Sequence, residues 1–142
     1  MIYIASDHGG FALKKVILNY LKKKKIRYED LGTNSLESVD YPDIAQKLCK
    51  KVLESKSKGI LICGAGIGMG IAANRFKGIR AAVCTNEYMA RMAIRHNNAN
   101  VLCLGARVLG DEIAKEIVDA FLSSKFEAGR HKRRVLKLDK ID

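Results

Sequence analysis

The chemistry in this chain gathers around one sulfur. Cys63-Gly64-Ala65-Gly66-Ile67-Gly68-Met69-Gly70 follows a continuous apolar run and opens a helical pattern. Glycines let a backbone approach a ligand closely, and the free amides of a helix start favour an anion. A G-x-G-x-x-G fingerprint counted from Gly64 would need glycine where Met69 stands, and counted from Gly66 it would need glycine where Ile71 stands. No Gly-Lys-Ser/Thr follows either, so the turn is neither a dinucleotide fingerprint nor a P-loop. A thiol facing such amides is favoured as the thiolate and can act as a general base. The alternative is a small buried hydrophobe, the commoner fate of a free cysteine. Cys84, ending another apolar run, competes for the role, whereas Cys49 and Cys103 read as core.

Three further groups carry chemistry. Asp7-His8-Gly9-Gly10 closes the first apolar run; it can bind hydroxyls or phosphate and move protons, or it is a polar turn in which Asp7 caps a helix. Arg95-His96-Asn97-Asn98-Ala99-Asn100 joins a helical pattern to a strand pattern. That connection belongs at the amino end of the following strand, so spacing alone does not bring His96 to the other groups. Arg130 and Arg134 are four apart; on a helix they share a face, and two guanidinium groups match a phosphate.

Elements to position these groups are legible. Residues 2–6, 26–31, 59–63, 80–84 and 101–104 are short strand-like runs. Between them apolar residues recur at helical spacing, as in Leu13, Val16, Ile17, Tyr20 and Leu21, and Pro42 fits the first turn of a helix. This alternation predicts a single α/β domain over residues 1–142, a Rossmann-like three-layer fold with a five-stranded parallel sheet and a C-terminal basic helix or tail. Ligands of such sheets bind beyond the strands' carboxyl ends, here after residues 6, 63, 84 and 104.

The formal net charge of +11 calls for an anionic partner, either phosphorylated small molecules or nucleic acid. Lys22–Lys25 and Arg130–Arg134 hold much of it, and little aromatic residue is interleaved for base stacking. The three histidines and four cysteines show no metal-ligand spacing. No apolar run is long enough for a membrane span, and the N-terminus lacks signal-peptide features. The expected location is the cytoplasm, with free thiols.

Several motifs together resemble the type B ribose-5-phosphate isomerases, a superfamily that also holds allose- and galactose-phosphate isomerases. They are Ile4–Gly10, Ser38–Asp43, Cys63–Met69, Ile71–Arg75, Gly78–Ala82, Arg95–Asn100 and Gly129–His131, in order along nearly the whole chain. The resemblance implies interconversion of D-ribose 5-phosphate and D-ribulose 5-phosphate through an enediolate, without metal or organic cofactor. It makes Cys63 the base, His96 the ring-opening acid and Asp7 its assistant. Gly64, Ala65, Gly66, Ile67 and Gly68 would offer amides to the oxyanion, with Asn97 beside them. His8, Arg107, Arg130 and Arg134 would hold the phosphate, and Tyr41 would line the sugar site. It further implies a homodimer, or a tetramer, whose sites take arginines from the neighbouring subunit, with no nucleic-acid or membrane partner. Many relatives carry threonine where Ala65 stands, which bears on rate and sugar preference. A six-carbon sugar phosphate remains the rival substrate; a nucleic-acid-binding module and an inactive sugar-phosphate sensor are rivals of other classes.

Overall fold

The computed structural model describes residues 1–142. Five parallel strands form one sheet: β1 (Ile2–Ser6), β2 (Tyr28–Asp30), β3 (Lys58–Cys63), β4 (Ala81–Val83) and β5 (Val101–Gly105), in the order β2-β1-β3-β5-β4. Six helices connect and flank them: α1 (Phe11–Lys23), α2 (Tyr41–Ser55), α3 (Ile67–Ala73), α4 (Glu87–Arg95), α5 (Asp111–Ser123) and α6 (Gly129–Asp139). The expected α/β class, strand count and parallel pairing are all present.

Two of the strand runs are shorter than their sequence pattern. Lys25 adopts a left-handed conformation after α1, and the Ile26 N–H bonds the Leu21 carbonyl, so Ile26 still belongs to the helix exit and the ladder begins at Tyr28. At β4 the Arg80 N–H is taken by the Asn100 side chain, at 2.8 Å, which delays entry into the strand.

Side chains alternate across a strand, so a central strand must fill two cores. In β3, Ile60 and Ile62 enter the core closed by α1, α4 and α5, with Ile17, Ile94 and Phe121. Leu61 and Cys63 enter the opposite core, closed by α2 and α3, with Leu48, Val52 and Met69. That alternation explains the unbroken apolar run of residues 59–63. Pro42 sits in the first turn of α2, where its missing N–H costs no hydrogen bond. Asn86 caps α4, its side chain accepting from the Met89 N–H at 2.9 Å.

The strand order reverses between β1 and β3. The chain runs outward from β1 to β2, then returns to pair β3 on the other side of β1. In sheets of this kind the ligand crevice lies beyond the carboxyl ends of the strands at such a reversal, here β1 and β3.

Candidate active site

Cys63 ends β3 at that crevice. Its thiol is 6% exposed, and the Gly66 N–H donates to Sγ at 3.2 Å. Gly66 has φ +80°, and a Cβ there would meet the carbonyl carbon of Leu104 at 3.0 Å. Glycine is thus required both for the left-handed turn and for its seat against β5. The turn aims the Gly66 amide back towards the sulfur.

The other thiols differ. Burial pushes Cys49 up to about 12 and Cys84 up to about 11, and it raises Cys103 further, helped by the neighbouring sulfurs. Cys84 lies in the core on the opposite sheet face from Cys63. It is no competitor for the crevice, and Cys49 and Cys103 are core as their patterns predict.

Asp7 follows β1 and is 8% exposed. Its Oδ1 accepts from the Gly10 N–H at 3.1 Å, so the capping reading is correct, yet the cap also fixes the carboxylate at the crevice. The Gly9 position lies between this carboxylate and the Gly64 amide: a Cβ there would be 3.3 Å from Asp7 Oδ1 and 3.5 Å from Gly64 N. His8 Nδ1 accepts from the Val39 N–H at 3.2 Å. An imidazole that accepts at Nδ1 carries its proton on Nε2, leaving a donor for a ligand. Arg107 comes from the loop after β5: its N–H bonds the Gly64 carbonyl at 2.9 Å, and its guanidinium lies over Gly64. The Tyr41 ring, at the start of α2, lies against Gly68. Ala65 is exposed, and Ile67 projects to solvent from the first turn of α3.

A second group gathers elsewhere. His96 caps the carboxyl end of α4, and its ring stacks on His131 of α6, with centroids 4.2 Å apart and planes at 10°. Glu127 Oε1 stands 3.7 Å from Nε2 of each histidine, and its Oε2 pairs with Arg95 Nε at 3.0 Å. Burial lowers the pKa of His131, and the charges of His96, Arg130 and Arg134 lower it further against the opposing pull of Glu127. Arg130 and Arg134 are exposed on α6, and Asn97 is exposed next to His96. The Asn100 carbonyl accepts from Gly59 N at 2.9 Å, which fixes this loop at the amino edge of the sheet. From Gly59 to Cys63 along β3 is about 13 Å at ~3.3 Å per residue. Within one chain, then, Asp7, His8, Tyr41, Cys63 to Gly68 and Arg107 converge, whereas His96, Asn97, Arg130 and Arg134 form a separate cluster.

His96, Glu127 and His131 offer three ligand atoms within 4.8 Å of one another. With the rings nearly parallel their lone pairs run side by side instead of converging on one ion, and Arg95, Arg130 and Arg134 oppose a dication. Sequence reasoning passed over Glu127, although its i, i+4 spacing to His131 was a usable signal. It also passed over Lys14, which is fully buried and donates to Asp30 at 2.7 Å and to the Thr33 carbonyl at 2.6 Å. Nothing in a helical lysine's spacing distinguishes that role.

The family model for ribose/galactose isomerases matches residues 2–138. The chain belongs to the ribose/galactose isomerase family. Among its members, the ribose-5-phosphate isomerase B of Escherichia coli is 45% identical over 142 residues, covering 99% of this chain and 95% of that protein. The crystal structure of a ribose 5-phosphate isomerase from Thermotoga maritima superposes with a TM-score of 0.96 at 55% identity, covering 99% of this chain and 97% of that one. The Mycoplasma genitalium ribose-5-phosphate isomerase B, solved with bound ribulose 5-phosphate, gives a TM-score of 0.94 at 46% identity, over 98% and 93% of the two chains. The chain is thus a sugar-phosphate isomerase of this family by sequence and by fold.

Proposed function

We propose that this protein interconverts D-ribose 5-phosphate and D-ribulose 5-phosphate, with Cys63 as the base. The observation that carries the reading is the Cys63 sulfur, which accepts from the Gly66 N–H of a glycine turn, in a family of sugar isomerases whose Mycoplasma genitalium member is solved with ribulose 5-phosphate.

The mechanism follows from the groups. An acid must first protonate the ring oxygen of the furanose, and His96 supplies that proton while Asp7 assists at the hydroxyl. The Cys63 thiolate then takes the proton from C2 of the open aldose. The electron pair moves onto the carbonyl oxygen O1, giving an enediolate; the C2 hydroxyl proton then passes to O1, and the thiol returns its proton to C1 as the C2 oxygen becomes the ketone. Amides of Gly64 to Gly68 hold the negative oxygen; one such donor is worth ~10²–10³-fold and general acid–base help ~10²–10⁴-fold. His8, Arg107, Arg130 and Arg134 clamp the phosphate, so that binding far from the reacting carbons fixes the pose. No step requires a metal, a nucleotide or a redox partner.

This scheme needs both clusters at one site. We infer that the active form is a homodimer, each site joining Cys63 of one chain to His96, Asn97, Arg130 and Arg134 of the other. The strand-length separation of the two clusters within a chain supports this, as do the exposed Ile67, Ile71, Tyr88 and Met89 near the crevice. The basic charge of α6 then serves a sugar phosphate in place of nucleic acid. The free state of all four thiols suits the cytoplasm, and no helix is long and apolar enough to cross a membrane.

Proton NMR of ribose 5-phosphate in D₂O tests the reading. The wild type should form ribulose 5-phosphate and exchange the C2 proton, and Cys63→Ala should do neither. Activity on allose 6-phosphate alone would move the substrate to six carbons, and equal activity in both proteins would remove Cys63 as base.

A further inference from the structure

Arg80 stands at the entrance to β4, and of the groups assigned above it bonds only Asn97, through that residue's backbone carbonyl. Its Nε donates to the carbonyls of Asn97 and Asn98, at 3.1 and 3.0 Å. Its Nη1 pairs with Asp139 Oδ1 at 2.8 Å, in the last turn of α6. Its own backbone is held in turn: its N–H donates to Asn100 Oδ1 at 2.8 Å, and its carbonyl accepts from the N–H groups of Asn100 and Val101, at 3.0 and 3.3 Å. The Arg80 side chain is 18% exposed and the Asp139 side chain 37%, so their ion pair is partly sheltered from water.

The loop that it grips is closed locally by the Asn98 and Ala99 N–H groups, which donate to the Ile94 and Ala93 carbonyls at 3.1 and 2.9 Å, and Arg80 ties that loop to the far end of α6. Asn98 takes a left-handed conformation, φ 48°, which turns the 97–98 carbonyls towards the guanidinium. A planar fork with several fixed donors can hold two adjacent carbonyls and a carboxylate at once, which an ammonium cannot do in the same geometry. One segment follows His96 directly and contains Asn97. The other is the helix that bears Arg130, His131 and Arg134.

We propose that Arg80 is a positioning residue that locks the loop after His96 to helix α6, so that the ring-opening acid and the phosphate arginines move as one rigid half-site. The inference rests on the isomerase reading above. It assigns Arg80 no contact with substrate. Its effect passes through His96 for the chemical step and through α6 for the phosphate.

A double-mutant cycle tests it, with steady-state isomerisation of ribose 5-phosphate by the full-length protein. Arg80→Met should lower kcat by up to roughly 10²-fold, the scale of a misplacement of about 1 Å, and should raise KM as well. In a His96→Ala background the same substitution should change kcat less than about twofold, because the group through which it acts is gone. Arg80→Lys should not restore the wild-type value. Asp139→Asn, which frees α6 but leaves the loop bonds, should raise KM by roughly two- to fivefold while kcat stays put; this milder variant carries the test if Arg80→Met fails to fold. A kcat loss of equal size with and without His96 would overturn the proposal, as would unchanged KM in Asp139→Asn. An inactive wild type would instead reject the isomerase reading itself.

Discussion

If each active site draws its base from one chain and its acid from the other, two dead variants should revive each other. Cys63→Ala removes the base and His96→Ala removes the acid, and each homodimer should lose ~10²-fold or more. The two residues occupy opposite edges of the sheet, about a strand length apart, so no single chain rearranges to bring them together. In a hybrid dimer one site inherits both substitutions and the other inherits neither. Random association makes about half of the dimers hybrids, each with one of two sites intact, so an equal mixture should recover about a quarter of wild-type activity. A hybrid purified through two different affinity tags should reach about half. The assay is ribulose 5-phosphate formation before and after subunit exchange, with size-exclusion chromatography to follow assembly. A mixture no more active than the sum of its parents, after exchange is verified, would falsify the shared site and require His96 to act within its own chain or not at all.

Other expectations follow from particular contacts. Lys14→Met strands Asp30 and the Thr33 carbonyl without their buried donor; urea unfolding should show a loss of roughly 3 kcal/mol, moderated because Asp30 is partly exposed. Ala65→Thr adds a hydroxyl at an exposed position beside the crevice; it should raise kcat without altering the melting temperature, the gain capped at the ~10²–10³-fold of one oxyanion donor. His131 has its pKa lowered by burial and by nearby positive charge, so the unfolded chain binds the proton more readily. The stability it contributes is complete above the ordinary imidazole value of 6.5 and drains away as pH falls below it. Thermal melts at pH 7.5 and 5.5 should therefore differ less for His131→Gln than for the wild type.

The fold was readable because its signals are local. Apolar runs two-sided enough to be central strands, helical stripes and one well-placed proline state their elements within a few residues. Where β2 and β4 came out short, the cause was a distant partner: Leu21 claims the Ile26 amide, and Asn100 claims that of Arg80. The crevice half of the candidate site was legible for the same reason as the fold. Asp7 follows a strand and Cys63 ends one, and the ends of parallel strands are where such sheets bind ligands, whereas Arg107 is singled out only by the family resemblance. The position of His96 was also foreseen, since a helix-to-strand loop belongs at the amino edge. What the sequence could not yield was the reach of long side chains. Lys14 and Arg80 look like ordinary surface cations until tertiary contacts bury one and surround the other with acceptors.

The four sulfurs have a practical meaning. Three are sealed in the two cores at 1% exposure or less, with their thiols pushed upward by burial, and Cys63, at 6%, is the one at a strand end beside the glycine turn. An alkylating reagent offered to the folded protein therefore meets a single target, and one adduct per chain counts the competent centres in a preparation. By the same token, mild peroxide stress should silence the molecule in one stroke while leaving its core chemically untouched, and a thiol reductant should return it to service so long as oxidation has stopped at the sulfenic acid.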